Sequence, residues 1–284
     1  MKIAVLSGKG GTGKTFISVN LTYVAKNSDY IDCDVEEPNG YLYFKPEIIN
    51  TEKICVKIPY VDKDLCTRCR KCVEFCKFNA LAFIKNNVFV FKEICHSCGG
   101  CMLLCPENAI SEIGKEVGEI QGGIFNKSNI YTGILNPGEE TGVNIIKRLL
   151  KKSQDKPYTF IDCPPGSSCS VMESIKDADY CLLVAEPTIF GVHNFSMVYN
   201  LVKIFNKPFG AVLNKCLEVD NPAEKYCIEN NIKVLCKISF ENELGKLNSN
   251  AEIASQKSEK YFNLFSSLLK TIHEEVNNET IINT

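Results

Sequence analysis

The sequence predicts an α/β protein with a mostly parallel sheet, helices on both faces and a small α+β insertion. Three observations support this prediction. Short apolar runs alternate with amphipathic helical stretches at the start of the chain, and the same alternation returns over its second half. Between the two, from about residue 60 to residue 113, the alternation stops and cysteines are crowded. Strands that alternate with helices are typical of a parallel sheet covered on both faces.

The first segment contains two predicted strands and one predicted helix. "KIAVLS", residues 2–7, is a buried strand, and a glycine-rich loop connects it to an apolar-periodic helix over about residues 14–26. "SDYIDCD", residues 28–34, is a second strand that ends in two aspartates. Residues 41–59 are less regular, and their pattern predicts no clear element.

The second segment continues the alternation. Strands are predicted at "NIYTGIL" (129–135), "YTFIDCPPG" (158–166, running into a turn), "YCLLVAEPT" (180–188), "PFGAVLNK" (208–215) and "KVLCKI" (233–238). Helices are predicted at 141–152, 193–206, 222–231 and about 259–274. Residues 1–59 and 114–284 are therefore expected to form one domain. Residues 60–113 are expected to form a module of their own, because loops of that length without structure are rare in compact domains.

Composition narrows the possible functions. The chain has 284 residues, of which 45% are hydrophobic, and a formal net charge of −2. The totals indicate no basic face for nucleic acid. No apolar run resembles the core of a signal peptide or approaches membrane-spanning length, so a cytoplasmic protein without membrane contact is expected. In that reducing compartment the 16 cysteines should not form disulfides.

Eight of the cysteines form two runs with the same spacing, C-x2-C-x2-C-x3-C. This doubled pattern resembles the bacterial two-cluster ferredoxins, over nearly all of residues 60–113. In that family the fourth cysteine of each run ligates the other cluster. The resemblance implies two [4Fe–4S] clusters, held by Cys66, Cys69, Cys72 and Cys105 in the first and by Cys95, Cys98, Cys101 and Cys76 in the second. Zinc is the alternative, but zinc sites usually show two C-x2-C pairs with a longer gap between them.

The loop after the first predicted strand has the pattern of a phosphate-binding loop. Gly8, Gly13, Lys14 and Thr15 satisfy G-x4-G-K-T between a strand and a helix, which is the structural context that this pattern requires. Backbone N–H groups of residues 10–15 would surround phosphates at the helix N-terminus. Lys14 would reach the β- and γ-phosphates, and the Thr15 hydroxyl would bind Mg²⁺.

A second lysine, Lys9, precedes Lys14 by five positions. "KGGTGKT" resembles the deviant phosphate loop of the MinD/ParA family of P-loop ATPases, and the resemblance covers nearly the whole chain. It implies ATP as the ligand and a nucleotide-dependent homodimer in which Lys9 reaches the nucleotide of the neighbouring subunit, as an arginine finger does. The loop residues implicated in nucleotide binding are Gly8, Lys9, Gly10, Gly11, Thr12, Gly13, Lys14 and Thr15.

Other segments resemble the family's switch and base-binding segments. "IDCDVEEPN", residues 31–39, resembles the first switch, in which Asp34 would position the attacking water or bind Mg²⁺ through water, with Asp32 as the alternative. "FIDCPPG", residues 160–166, resembles the second switch, in which Asp162 would lie in the outer shell of Mg²⁺ and Gly166 would sense the γ-phosphate.

"VLNK", residues 212–215, resembles the segment that binds the base. Asn214 can both donate to and accept from adenine, and Lys215 follows it. Guanine-specific enzymes add an aspartate two positions after the lysine, where this chain has Leu217. ATP is therefore favoured over GTP.

Among the eight other cysteines, most fall on predicted strands and are expected to be buried hydrophobes. Cys169 follows Asp162 by seven residues, and in the nitrogenase iron protein of the same family a cysteine at that offset helps to hold a cluster between subunits. A bridging metal at Cys169 is therefore a hypothesis.

Three functions remain open. In the first, a slow or partner-stimulated ATPase closes as a dimer and gates electron transfer through the clusters to a redox partner. In the second, the protein is an ATP-dependent scaffold or carrier that delivers iron–sulfur or related centres to an acceptor protein. A weaker third possibility is a regulatory switch that uses the clusters as sensors. Ligation by all eight cysteines favours permanent clusters and thus electron transfer.

Overall fold

A computed structural model describes residues 1–153, 156–217 and 221–282. The strands of this part are β1 Lys2–Leu6, β2 Ser28–Asp32, β3 Glu47–Val61, β4 Leu81–Ile84, β5 Asn87–Val90, β6 Ile110–Phe125, β7 Ser128–Leu135, β8 Tyr158–Asp162, β9 Tyr180–Ala185, β10 Phe209–Cys216 and β11 Val234–Ser239. The helices are α1 Lys14–Ala25, α2 Gly40–Phe44, α3 Lys71–Phe75, α4 Gly100–Leu103, α5 Val143–Leu150, α6 Cys169–Ile175, α7 Ile189–Ile204, α8 Pro222–Glu229, α9 Asn242–Ser249, α10 Ala254–Lys257 and α11 Glu259–Ile282.

The main sheet follows the order β11-β10-β9-β1-β8-β2-β7-β6-β3. The strands from β11 to β7 are all parallel to their neighbours, whereas β7, β6 and β3 pair antiparallel. Every residue of β2 and β9 is buried, as expected for strands that are covered on both faces. The prediction of a mostly parallel sheet is confirmed.

Helices cover the two faces of this sheet and form two hydrophobic cores. On one face, α1 and α11 pack together, and Phe16 meets Phe265 with ring centroids 5.6 Å apart. On the other face, α5, α6 and α7 contribute buried residues such as Ile145, Val171 and Phe195. No helix in the described ranges is long and apolar enough to span a bilayer.

A long antiparallel ribbon extends from one edge of the sheet. It consists of β3 and β6, which pair from Glu47 with Ile124 to Val61 with Ile110. The prediction for residues 41–59 missed β3, and residues 110–113, which the sequence grouped with the cysteine module, are the start of β6. Most of β3 is exposed, so its sequence lacks the alternating apolar pattern of a half-buried strand.

The cysteine segment, residues 62–109, lies between the two strands of this ribbon and contains α3, β4, β5 and α4. It is an internal repeat with an offset of 29 residues. The backbone follows the repeat, because Arg68 and Ser97 both have positive φ, and Asn79 and Asn108 do too. Together with Ile110 at the start of β6, the segment forms a small core of its own, in which the buried residues are Cys72, Ala80, Leu81, Cys101 and Ile110.

Candidate functional site

The phosphate loop connects β1 to α1. Gly11 and Gly13 have φ values of 76° and 106°, which side chains rarely adopt. A Cβ atom on Gly13 would also lie 2.2 Å from the Asn214 amide nitrogen, so this position accepts only glycine. The loop therefore leads directly into the N-terminus of α1, where unpaired backbone N–H groups favour a phosphate.

Side chains from β10 hold the loop in shape. The Asn214 side-chain amide donates to the Thr12 carbonyl at 2.8 Å, and the Lys215 ammonium donates to the Gly11 carbonyl at 2.7 Å. Within the loop, the Thr12 hydroxyl donates to the Lys9 carbonyl at 3.1 Å. Asn214 and Lys215 are expected to contact the adenine base. In the structure they also hold two carbonyl groups of the phosphate loop in position.

Two neighbouring pockets lie beside the loop. The larger, of about 640 Å³, is lined by Lys14, Thr15 and Asp34 together with the second-switch prolines Pro164 and Pro165. The smaller, of about 110 Å³, is lined by residues of β10 and of the segment around α9, which are Asn214, Lys215, Ser239, Phe240, Glu241, Leu244, Gly245 and Asn248. Both pockets share Gly11, Gly13, Phe16 and Asn248. Together they have the form expected of a phosphate site with an adjoining base site.

The carboxylate of Asp162 is buried at the end of β8. It accepts hydrogen bonds from the Tyr30 hydroxyl at 2.9 Å and from the Ser18 hydroxyl at 3.3 Å. Burial raises the pKa of Asp162, while the nearby ammonium of Lys14 acts in the opposite direction. Lys14 is itself buried, so this cation and anion lie together at the bottom of the site.

The two aspartates of the first switch have different environments. The Asp32 carboxylate accepts backbone N–H bonds from Asp34, Asn39 and Gly40 at 2.9–3.2 Å, so it fixes the turn of the switch. Asp34 lines the larger pocket instead. Burial raises the pKa of Asp34 to about 6, although Lys14 opposes this shift. The geometry thus favours Asp34 over Asp32 for a role beside the phosphates.

Lys9 forms an ion pair with Glu186 at the end of β9. Glu186 also accepts a hydrogen bond from the Thr188 hydroxyl at 3.1 Å and lies 3.9 Å from the Lys215 ammonium. Burial acts to raise the pKa of Glu186, but the bonds from Lys9 and Thr188 outweigh it and leave that pKa below its ordinary value. Glu186 was not predicted as a site residue. Its position directly after a buried strand could have indicated it, because such sheets place ligands at the carboxyl ends of their strands.

Large apolar side chains adjoin this ion pair. Ile189 and Phe190 begin α7 and are 80% and 78% exposed. The helix passes close to the phosphate loop, because a Cβ atom on Gly8 would lie 1.9 Å from the Asn194 carbonyl oxygen. An apolar surface therefore lies next to Lys9.

The cysteine segment contains a cavity of about 80 Å³. The cysteines that line it are Cys76, Cys95, Cys98 and Cys101. These four come from both runs and are the set that the ferredoxin resemblance implied for the second cluster.

The cysteines of each group influence one another. Burial raises the pKa of Cys95, and Cys76 and Cys98 add to this shift. Burial likewise raises the pKa of Cys101 to about 11, with smaller contributions from Cys95 and Cys98. These mutual contributions agree with the common cavity that the four cysteines line.

The first three cysteines of the first run belong to the other expected group. Burial raises the pKa of Cys72, with smaller contributions from Cys66 and Cys69. The fourth expected member, Cys105, accepts a backbone N–H bond from Ala109 at 3.3 Å. Among the described residues, no set of three or more His, Cys, Asp or Glu side chains is arranged to hold a metal ion.

Residues 3–254 match the family described as the CobQ/CobB/MinD/ParA nucleotide binding domain. The chain belongs to this family. The predicted membership in the MinD/ParA group of P-loop proteins is therefore confirmed. MJ0578 of Methanocaldococcus jannaschii, an uncharacterised protein, is 33% identical over 283 residues, which cover 97% of this chain and 96% of the relative. A second uncharacterised protein of the same organism, MJ0579, is 29% identical over 76% of this chain and 80% of its own length.

Solved structures of MinD proteins show the same fold. The cell division ATPase MinD of Pyrococcus furiosus has a TM-score of 0.61 at 17% identity, over 96% of this chain and 98% of that protein. The septum site-determining protein MinD of Pyrococcus horikoshii OT3, complexed with Mg-ADP, has a TM-score of 0.62 at 17% identity, over 95% of each chain.

In this MinD/ParA-family protein, Cys169 is exposed and begins α6. Its neighbours Ser168 and Ser170 line the larger pocket beside the phosphate loop. Among the other cysteines outside the two runs, Cys33, Cys163, Cys181 and Cys227 are buried, as expected, whereas Cys55 is exposed. The bridging role of Cys169 stays a hypothesis.

Proposed function

We propose that this protein is an ATP-driven iron–sulfur protein. Two chains pair around ATP, and this pairing gates electron transfer through two [4Fe–4S] clusters to a partner protein. The observation that carries the proposal is the cavity lined by four cysteines from two separate runs. The same chain has a phosphate loop whose carbonyl groups accept hydrogen bonds from Asn214 and Lys215.

The nucleotide part of the proposal assigns a role to each residue around the loop. Backbone N–H groups of residues 10–15 and the Lys14 ammonium hold the β- and γ-phosphates. Thr15 would bind Mg²⁺ directly. Asp34 and Asp162 would hydrogen-bond to water molecules that coordinate the ion. The Mg-ADP complex of the P. horikoshii protein, which has the same fold, supports this choice of ligand.

The base is proposed to be adenine, which enters the smaller pocket. Asn214 and Lys215 line that pocket beside the apolar side chains Phe240 and Leu244. Leu217 offers no carboxylate for the N1–H and amino group of guanine, so ATP is preferred.

The cysteine segment and the adjoining ends of β3 and β6 are proposed to form a ferredoxin-like domain over residues 60–113. The second cluster is held by Cys76, Cys95, Cys98 and Cys101, and the first by Cys66, Cys69, Cys72 and Cys105. The thiols fit this role, because they are free cysteines, four of them from both runs line one cavity, and some accept backbone N–H bonds. The irons of a cluster separate its ligands more widely than one ion would. Each bound cluster supplies a one-electron carrier.

Dimer formation is proposed to use the exposed apolar surface beside Lys9. Burying Ile189 and Phe190 in an interface removes apolar area from water at a gain of about 25 cal/mol per Å². Lys9 then leaves Glu186 and turns to the phosphates of the neighbouring subunit. A cation placed there offsets negative charge that develops on the transferring phosphoryl group, so hydrolysis depends on pairing.

A second candidate function is delivery of clusters to an acceptor protein. It is favoured by one observation, because Cys69 and Cys98 are exposed and a partner could reach them. Permanent electron carriers usually retain all their ligands, so delivery ranks second.

The test is anaerobic purification followed by iron and sulfide analysis and electron paramagnetic resonance (EPR). We expect about eight irons per chain from two four-iron clusters. We also expect a cluster midpoint potential that moves on adding ATP, together with a shift to a dimer in light scattering. Absence of iron, or a potential and dimer state that ATP leaves unchanged, would overturn gated transfer. Transfer of iron to an apo-acceptor despite a chelator would support delivery instead.

A further inference from the structure

A groove of about 460 Å³ lies between β3 of the ribbon and helix α5. Five of its lining residues are basic and one is acidic: Lys53, Lys57, Lys147, Arg148, Lys151 and Glu52. The whole chain has a formal net charge of −2, so this concentration of positive charge is local. Such a surface attracts an acidic partner and speeds its approach.

Among the described residues, most of this positive charge has no acidic partner. Glu52 accepts a hydrogen bond from the Arg148 guanidinium at 2.7 Å and another from Lys152, and Lys53 pairs with Glu116 at 2.9 Å. In the parts of the chain that the structure describes, the other three lysines of the groove have no ion-pair partner. These are Lys57, Lys147 and Lys151.

The groove adjoins the cavity that is lined by Cys76, Cys95, Cys98 and Cys101. Lys57 and Ser97 line both of them, so one layer of side chains separates the groove from the proposed second cluster. The Ser97 hydroxyl in this layer is buried and has no hydrogen-bond partner among the described residues. A molecule seated in the groove would be the neighbour of that cluster.

We propose that this basic groove docks an acidic electron-transfer protein next to the second cluster. The inference rests on the proposed function, and it names the kind of redox partner and where it binds. One electron passes between the partner's redox centre and the cluster, so one is oxidised as the other is reduced and no bond is broken. Single-stranded nucleic acid fits less well, because such sites use aromatic stacking platforms and no aromatic side chain lines this groove.

The test uses an acidic plant-type [2Fe–2S] ferredoxin as the probe and the full-length iron-loaded protein. Binding of fluorescently labelled ferredoxin is measured by anisotropy at low and high salt. Electron transfer from reduced ferredoxin is followed by freeze-quench EPR, which distinguishes [2Fe–2S] from [4Fe–4S] signals. The variant is the double charge reversal Lys147→Glu and Lys151→Glu, at two exposed positions four residues apart, one in α5 and the other at its C-cap.

We expect the double variant to bind ferredoxin about 10-fold or more weakly at low salt and to lose most of the salt dependence. Electron transfer should slow in parallel, while ATP binding and iron content stay unchanged. The matched control is Lys127→Glu, an exposed lysine in the turn after β6, roughly 30 Å along the strand from the groove. The control should bind as the unaltered protein does.

Each other result has a defined meaning. Equal binding by the double variant and the unaltered protein would overturn the docking site, as would an equal loss in Lys127→Glu. Tighter binding of a single-stranded oligonucleotide at the same lysines would assign the groove to nucleic acid instead. Ferredoxin binding without electron transfer would overturn the redox role. An iron-free protein that still binds ferredoxin through these lysines would sink the proposed function but support the docking surface.

Discussion

The nucleotide site and the cysteine segment differ in what stabilises them. The phosphate loop lies between a buried strand and a buried helix, and Asn214 and Lys215 bond to its carbonyls. In the cysteine segment, two of the five buried core residues, Cys72 and Cys101, are themselves expected ligands. So small a core supplies little stability, and a metal group contributes folding energy in such modules. The first site is thus organised by contacts within the protein, whereas the proposed cluster site is expected to depend on its metal for stability.

Removing the iron should have the largest effect, because it should destabilise the cysteine segment and leave the nucleotide site intact. Without clusters, residues 62–109 lose the crosslinks that the eight thiolates provide, whereas the sheet keeps its own core. We expect amide hydrogen exchange in that segment to become nearly unprotected, while β1 and β8 keep their protection. Equal protection with and without iron would contradict the proposed dependence on metal.

Lys14→Ala should have the next largest effect. It removes a buried cation that lines the larger pocket, where the phosphates are proposed to bind, and that lies near Asp34 and Asp162. Charge-assisted hydrogen bonds contribute about 1.5–3 kcal/mol each, so we expect ATP affinity to fall about 100-fold or more in calorimetry. Iron content should not change. Normal ATP binding by this variant would overturn the phosphate site.

Tyr30→Phe tests how far the nucleotide site is organised by the protein itself. The Tyr30 hydroxyl donates to Asp162 in the core, and its loss should lower the free energy of unfolding by about 1.5–3 kcal/mol in urea titrations. The control is Tyr43→Phe, because Tyr43 is only partly buried and its hydroxyl donates to the Asn248 side chain in a solvent-accessible hydrogen bond. Its effect should stay within about 0.5 kcal/mol. Similar effects of the two changes would refute a special role for the buried bond.

Asp34 should make stability depend on pH in the protein without nucleotide or Mg²⁺. Its pKa is raised from 3.8 to about 6 in the folded state, so between these values the native chain binds more protons than the unfolded chain. Its contribution is therefore present below about pH 4 and is lost as the pH rises through about 6. Relative to the unaltered protein, Asp34→Asn should gain stability over this range in thermal unfolding. A difference that is constant with pH would contradict the raised pKa.

The smallest change in stability is expected at the ion pair between Lys9 and Glu186. Lys9 is partly exposed, and such pairs contribute less than about 1 kcal/mol. Lys9→Ala should therefore unfold like the unaltered protein and still bind ATP, but lose dimer-dependent hydrolysis. Glu186→Gln is the matched variant, because it leaves Lys9 in place but removes the charge of its ion-pair partner. Normal hydrolysis by Lys9→Ala would refute the proposed role in the neighbouring subunit.

The sequence predicted the elements around the phosphate loop well. The phosphate loop and its flanking strand and helix are where the glycine spacing indicated. The ribbon was missed, because β3 is mostly exposed and β6 has four glycines, Gly114, Gly118, Gly122 and Gly123, so neither shows a simple alternating pattern. At Gly118 the reason is packing, since a Cβ atom there would lie 2.1 Å from the Ile134 carbonyl oxygen.

By itself, the sequence determined the chemistry of the phosphate loop and the spacing of the cysteine runs, because both depend on residues that are close together in the chain. Only the tertiary structure decided that Asp32 fixes the switch turn while Asp34 faces the pocket, and that Glu186 pairs with Lys9. It also places Cys76 beside Cys95, Cys98 and Cys101 at one cavity, a grouping that the family resemblance implied but that the spacing of the runs does not by itself determine. These relations join residues from different strands and loops, and they exist only once strand order and chain crossings are set.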